Sequence, residues 1–392
     1  MHFNEPCKNI PPYGRLFLAF LGLGLTAFGG PAMVAYIKDL SVKKNNWLDE
    51  ETFKDGVVLC QAIPGATAMQ TAAYVGLRAR GIRGALSTYI GFGLPAFVLM
   101  LTLSFLYAKY NSLNQVSGLF RGLAVIVVAI VANATYSFGK GSIKDYKELV
   151  IAMLAAIFFW FDVSPFLVII GAALAGMVFF RADNSAQSFV PNQGTSMKRI
   201  YKKIGFLFIL LVAVLIGLYY TNTRLFNLAS LMIKIDSFAF GGGFASVPLM
   251  LHEVVSVKGW MGYETFMDGI ALGQITPGPI VITATFVGFI VYGITGAVVA
   301  TVAVFTPSFL ILVTVTPVFD RLKASVLFSK ATKGILASFV GLLFFVTVKF
   351  AMAVPWDVEK ILLGAVVLAA LIKKVNILYV VLIGAIVSLF LF

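Results

Sequence analysis

Long continuous apolar runs, divided by short polar or basic loops, constrain this chain more than any other feature. A hydrocarbon core of roughly 30 Å takes about 20 helical residues to cross. Runs of that kind recur from about Leu16 to the C-terminus. Hydrophobic residues make up 60% of the 392 positions and charged residues 12%, more apolar surface than a soluble fold can hide. The runs do not alternate as barrel strands would. Lipid then demands helices, whose backbone hydrogen bonds close internally. The expected fold class is an all-α polytopic membrane protein with roughly thirteen transmembrane helices.

Spans are expected at about 16–37, 57–77, 84–107 and 119–138, then a short pair at 149–161 and 165–180. A polar segment, 181–203, reads as a linker on the cytoplasmic side. A helix at 204–220 follows, then spans at about 225–251, 270–292, 296–318 and 334–354, and a last short pair at 361–372 and 377–392. The net charge is +13, but the basic residues sit mostly in the loops between spans. There they set orientation and do not indicate nucleic acid. Two cysteines, Cys7 and Cys60, form no disulfide framework or metal spacing.

An internal repeat runs through the chain. Phe28-Gly29-Gly30 matches Phe240-Gly241-Gly242, and Trp47 matches Trp260. Gln61 matches Gln274, Pro64-Gly65 matches Pro277-Gly278, and Val75-Gly76 matches Val287-Gly288. Gly81, Gly84 and Pro95 match Gly293, Gly296 and Pro307, always at an offset of 212 or 213. The expected units are residues 1–180 and 204–392, the second with one extra leading helix. Matched spans lie seven crossings apart, an odd number, so the repeats should be inverted. The basic loop 78–83 should face the cytoplasm, and its charge-free partner 292–295 the outside. The N-terminus is then cytoplasmic. Segment 38–54 misfits, because this count puts Lys38, Lys43, Lys44 and Lys54 outside. Inverted repeats with broken helices are characteristic of secondary transporters.

The breaks carry the candidate chemistry. Gly29-Gly30 and Gly241-Gly242 interrupt one span of each repeat, and Pro64-Gly65 and Pro277-Gly278 another. A half-helix that starts after a break offers unpaired N–H groups and a partial positive charge, which suits an anion. Gln61 and Gln274 precede the Pro-Gly breaks, and Thr67 and Thr276 adjoin them; all can donate without adding a charge. The candidate substrate-binding set is therefore Gly29, Gly30, Gln61, Pro64, Gly65, Thr67, Gly241, Gly242, Gln274, Thr276, Pro277 and Gly278. Asp55, Asp268, Lys234 and Asp236 are candidates for coupling or gating, since an ionisable group in a span is costly. Lys234 and Asp236 break the symmetry, standing where the first repeat has Gly22 and Gly24. His252 and Glu253 are expected in a solvated loop. No P-loop, dinucleotide site, metal cluster or nucleophile–base set is present in the sequence. The chain reads as a non-enzyme without cofactor, driven by a gradient.

These motifs resemble the chromate ion transporter family in its long, two-repeat form. The resemblance lies in Phe28-Gly29-Gly30-Pro31, Trp47 and Gln61-Ala-Ile-Pro64-Gly65. It continues in Phe240-Gly241-Gly242-Gly243, Trp260, Gln274-Ile-Thr-Pro277-Gly278-Pro279 and Ala284-Thr-Phe-Val-Gly288. Ala66 departs from the Pro-Gly-Pro common at that place. The resemblance implies a plasma-membrane exporter of chromate that confers chromate resistance, with a sulfate-like oxyanion as alternative substrate. The residues alone support only an anion transporter, with an anion channel as the competing reading. The partners implied are an oxyanion, a coupling proton or other ion, and the lipid bilayer. A homodimer is among the assemblies the sequence allows.

Overall fold

The computed structural model describes residues 11–28, 30–111, 113–180, 197–319, 322 and 324–391. Cys7, Gly29 and residues 181–196 of the expected linker lie outside the described residues. The rest of that segment, from Met197, already belongs to a helix. The first repeat contains α1 (Tyr13–Thr26), α2 (Gly30–Lys38, extended by a π-turn over Asp39–Lys44), α3 (Glu50–Ala62) and α4 (Thr67–Tyr110). It continues through α5 (Asn114–Ser142), α6 (Tyr146–Trp160) and α7 (Pro165–Phe179). α8 (Met197–Thr221) leads into α9 (Thr223–Ser237), α10 (Ser246–Met250, continued by a π-turn over Leu251–Val257), α11 (Tyr263–Ile275) and α12 (Thr283–Val315). α13 (Val326–Ala353), α14 (Val358–Ile372) and α15 (Ile377–Leu391) complete the chain.

The chain is an all-α membrane protein. Among the described residues, five segments are long and apolar enough to cross a bilayer: Thr67–Tyr110, Ser117–Ser142, Ile204–Thr221, Ile280–Val318 and Val326–Ala353. Most other expected spans are shorter helices, and the packing shows why. Residues 50–79 do not run on in one direction through Pro64-Gly65. A Cβ added to Gly56 would meet the Tyr74 ring at 2.2 Å. A straight helix would hold residues eighteen apart by about 27 Å. α3 and the first arm of α4 are therefore antiparallel arms of a hairpin with its tip at 63–66. The second repeat repeats this contact, between Gly269 and the Phe286 ring at 2.4 Å.

α1 and α2 also fold back. The Arg15 guanidinium donates to Asn45 Oδ1 at 3.4 Å, and Phe20 stacks on Trp47 with ring centroids 6.4 Å apart. In the second repeat Lys234, before the break, pairs with Glu253 after it at 2.7 Å. The arms of these hairpins have about thirteen residues, or roughly 20 Å.

α4 itself reverses at Arg80-Gly81, where Gly81 takes φ 66° and ψ −161°. α12 reverses in the same way at Tyr292-Gly293, with Gly293 at φ 63° and ψ −152°. The expected loop at 78–83 is thus a two-residue corner. It is tight because Gly76 and Gly84 let the backbones touch: a Cβ on Gly76 would lie 2.3 Å from the Gly84 carbonyl oxygen. Elsewhere too, small residues let helices approach closely. Gly334 and Gly341 of α13 meet the Ala172 and Ala152 carbonyls of α7 and α6.

Gly76→Ala should therefore cost about 1–3 kcal/mol, because the opposing atom is backbone and cannot turn aside. Gly22→Ala, with nothing within 4 Å of its added Cβ, should be neutral. Thermal midpoints of both variants in the same detergent check the contrast.

Candidate functional site

The hairpin tips of the two repeats meet each other. Each Pro-Gly break begins where a residue before proline leaves helical geometry: Ile63 has ψ 156° and Thr276 ψ 142°. Gly65 and Gly278 follow at φ 117° and 109°, a region that favours glycine. The Gly65 N–H donates to the Ala239 carbonyl at 2.9 Å, beside the antiparallel bridge of Pro64 with Phe240. The Gly278 N–H donates to the Ala27 carbonyl at 3.1 Å. Ala27 and Ala239 are repeat partners, so the two bonds are one contact made twice.

This contact corrects one expectation. The amides at the breaks are not all unpaired. Gly65 and Gly278 give theirs to the opposite repeat, and the Ala66 N–H goes to Ser308 Oγ at 3.2 Å. The first-turn amides of α4 remain without intrahelical acceptors, as at any helix start, whereas α12 is entered through a 3-10 turn over Ile280–Ile282 whose carbonyls already take the Thr283 N–H.

Thr67 opens α4 next to Gly242, where an added Cβ would lie 3.2 Å from Thr67 Oγ1. Gly243 lies against Ile280 and Val281, and Gly278 against Ala96. Pro64, Gly65, Thr67, Gly242 and Gly278 are thus brought to one junction. Gly241 lies beside it, packed on the Phe138 ring. Pro277 is buried within the second tip, and Gly30 begins α2. Thr276 is buried with its hydroxyl turned back to the Gly273 carbonyl. Gln61 is exposed and Gln274 half-buried, one on each Pro-Gly hairpin before its tip.

The charged candidates separate. Asp55 and Asp268 lie two helical turns before the tips, and Tyr107 donates to Asp268 Oδ2 at 2.8 Å. Lys234 points away from the junction, bonded to Glu253 and lying 3.8 Å from the centre of the Phe166 ring. His252 and Glu253 are not in a solvated loop. Both are buried in the π-turn after α10, where Glu253 answers Lys234. The ion pair joins a buried carboxylate to a lysine whose side chain is still half exposed.

Asp236 alone reaches the junction. It is fully buried, and its Oδ2 accepts from the Ser308 backbone N–H at 2.8 Å and the Ser308 hydroxyl at 2.6 Å. Sequence reasoning missed Ser308. The signal was available, since Ser308 stands where the first repeat has Ala96, as Asp236 stands for Gly24. The two asymmetric positions bind each other. Gln70 lies in the first turn of α4, just after the break. It is buried, with Nε2 donating to the Pro64 carbonyl at 2.6 Å and the Ser308 carbonyl at 3.3 Å.

Comparison with known proteins decides the family. The chromate transporter family model matches residues 14–177 and again 226–389. The chain belongs to the chromate transporter family. An uncharacterized transporter of Methanocaldococcus jannaschii is 44% identical over 377 residues, covering 96% of this chain and 94% of its own length. A probable chromate transport protein of Synechococcus elongatus is 31% identical, covering 77% of this chain and 75% of its own. A chromate transport protein of Cupriavidus metallidurans is 29% identical, covering 92% and 88%. No solved structure matches. The family matches begin at α1 and α9, so the two tip-to-tip bonds join its first copy to its second.

Ser308→Ala should destabilise the protein by about 1–3 kcal/mol, because it strips a buried carboxylate of a donor and Ala66 of its acceptor. In the double variant with Asp236→Asn the loss should be smaller than the sum of the single losses. Denaturation midpoints of the four proteins in one cycle test this coupling.

Proposed function

We propose that this chain is a secondary active transporter that exports chromate across the plasma membrane. Its repeats lie inverted, and the dianion is held at the broken-helix N-termini of the tip junction. The reciprocal pair of bonds, Gly65 to Ala239 and Gly278 to Ala27, carries this reading. A junction built twice from the same residues, approached from opposite directions, suits a site open to either side in turn. The N-terminal turns of α4 and α12 supply the positive ends of two helix dipoles, and Thr67, Gln61 and Gln274 supply uncharged donors. The chromate transporter family and its relative in Cupriavidus metallidurans, a chromate transport protein, support chromate as the substrate.

The hairpins also support inversion. Residues 13–44 and 50–79 each return to the face where they start. Lys38, Lys43, Lys44 and Lys54 then share a side with Arg78, Arg80 and Arg83, next to Tyr13, over which Arg80 stacks at 4.3 Å. The misfit of segment 38–54 disappears, and the positive-inside rule supports a cytoplasmic face here and at the N-terminus. Between the halves run the second arm of α4, then α5 and α8, with α6 and α7 reversing on each other. Three crossings plus a closed pair is still an odd number. The linker 181–203 stays cytoplasmic in this topology, and the units are 1–180 and 204–392.

Cysteines placed singly at Lys43 and Lys258 test the topology. An impermeant maleimide should reach position 43 only from the cytoplasmic face and position 258 only from outside. Reaction of both from one face would rule out inversion.

Transport is tested in proteoliposomes loaded with chromate, sulfate or molybdate. A coupled transporter should accumulate chromate against its own gradient when a pH gradient is applied at zero membrane potential, and downhill flux alone would favour a channel. Gln61→Ala and Gln274→Ala should each weaken apparent chromate affinity by about tenfold or more, as for a lost hydrogen bond to a charged group, with the folded yield unchanged. Wild-type transport by both would move the site elsewhere.

A further inference from the structure

The Asp236 carboxylate is only half bonded. Oδ2 takes both Ser308 donors, but Oδ1, equally buried, has no hydrogen-bond partner. A buried charge left in that state is among the costliest arrangements in a protein. Among the described residues no cation answers it. Lys234, on the same helix, is engaged with Glu253 and Phe166. His252, on the neighbouring π-turn, packs on Phe159 with ring centroids 5.5 Å apart. On α4 the facing titratable group is Tyr89, whose hydroxyl donates to the Phe305 carbonyl at 2.8 Å. α12 contributes only Ser308.

A second orphan acceptor belongs to the same cluster. Gln70 Nε2 faces two carbonyl oxygens, which fixes the amide orientation, since the flipped amide would set oxygen against oxygen. Its Oε1 is then a buried acceptor without a donor. Gln70 and Asp236 are thus both bonded to Ser308, and each keeps one bare oxygen. A proton is the smallest addition that turns one of these acceptors into a donor.

We propose that Asp236 is a proton-binding site linked to the anion site, taking up one proton at Oδ1 when a dianion binds at the tips. This rests on the anion-site reading above. Two routes carry the linkage. A charged Asp236 repels a dianion at the junction and a neutral one does not. Ser308 joins the two places directly, its hydroxyl donating to Asp236 and accepting from Ala66 at the start of α4. Neutralising Asp236 weakens that charge-assisted bond and loosens Ser308.

The sign follows. Dianion binding favours the protonated acid, so affinity is full at low pH. It falls as pH rises through the Asp236 titration, by up to about tenfold per pH unit for one proton. Sulfate is the useful probe, because it stays a dianion across this range while chromate does not.

Titration calorimetry of sulfate and chromate into the full-length protein in nanodiscs, from about pH 5.5 to about 8.5, measures this linkage. Buffers of different ionisation enthalpy count the protons taken up. The wild-type protein should bind sulfate more weakly as pH rises and take up close to one proton per anion. Asp236→Asn should bind with an affinity that no longer follows pH and without proton uptake. Should that variant not fold, His252→Gln with Glu253→Gln decides: proton uptake must survive it, and its loss would assign the proton there and overturn the proposal. pH-independent wild-type affinity, or affinity that follows sodium instead, also overturns it while leaving the anion site standing. Absence of sulfate and chromate binding at every pH overturns both.

Discussion

Unpaired backbone groups cannot be left in hydrocarbon, and the rest of this structure depends on how four broken helices meet that demand. Each break frees amides and carbonyls at a depth where water is scarce. In one half alone they would stay unsatisfied. The two halves solve this by exchange: Gly65 bonds to Ala239, Gly278 bonds to Ala27, and Pro64 bridges Phe240. The junction therefore exists only when both repeats are docked. The atoms of this structural keystone are those of the proposed anion site. The glycines allow the approach, and the prolines stop each helix at the right place.

The same logic explains why asymmetry is concentrated at one point. A symmetric junction would have Gly24 and Ala96 on one side and their like on the other. Instead the second repeat carries Asp236 and Ser308, which bond each other and reach the Ala66 amide of the first. A buried carboxylate would be destabilising there without Ser308, and Ser308 would gain little without Asp236. The pair functions as a unit. Its place beside one tip makes the two nominally equal binding halves electrically different.

Much of this was legible in the sequence. The repeat, the four breaks and the departure from symmetry at Asp236 all follow from residue types at fixed offsets. Direction after a break was not legible. An apolar run with a central Pro-Gly has the same composition whether its second half continues or returns. Returning is decided by Gly56 lying against Tyr74 and by the tip bonding to the other repeat, from Gly65 to Ala239. The counterpart contact of Gly269 with Phe286 was hidden for the same reason. His252 and Glu253 were misplaced because polarity alone marks a loop. Here it marks a packed turn whose Glu253 pairs with Lys234, nineteen positions earlier. Ser308 was missed because the repeats were compared for what they share and not for paired differences.

For the proposed exporter, a proton bound with the anion changes the driving force. Moving a dianion out of a cell with a negative interior gains about 2.3 kcal/mol per charge per 100 mV, or about 4.6 kcal/mol in all. One accompanying proton lowers the moving charge to −1 and the gain to about 2.3 kcal/mol. The proton also moves against an alkaline interior, at a cost of about 1.4 kcal/mol per pH unit. At 100 mV, export then stays downhill until the interior is about 1.6 units more alkaline than the outside. An unprotonated carrier has no such limit. It must instead hold a dianion and a buried carboxylate together at one junction, with no cation found at Asp236 among the described residues. Burial of Asp236 without a counter-charge thus ties the stability of the loaded state to the proton, at the expense of part of the driving force.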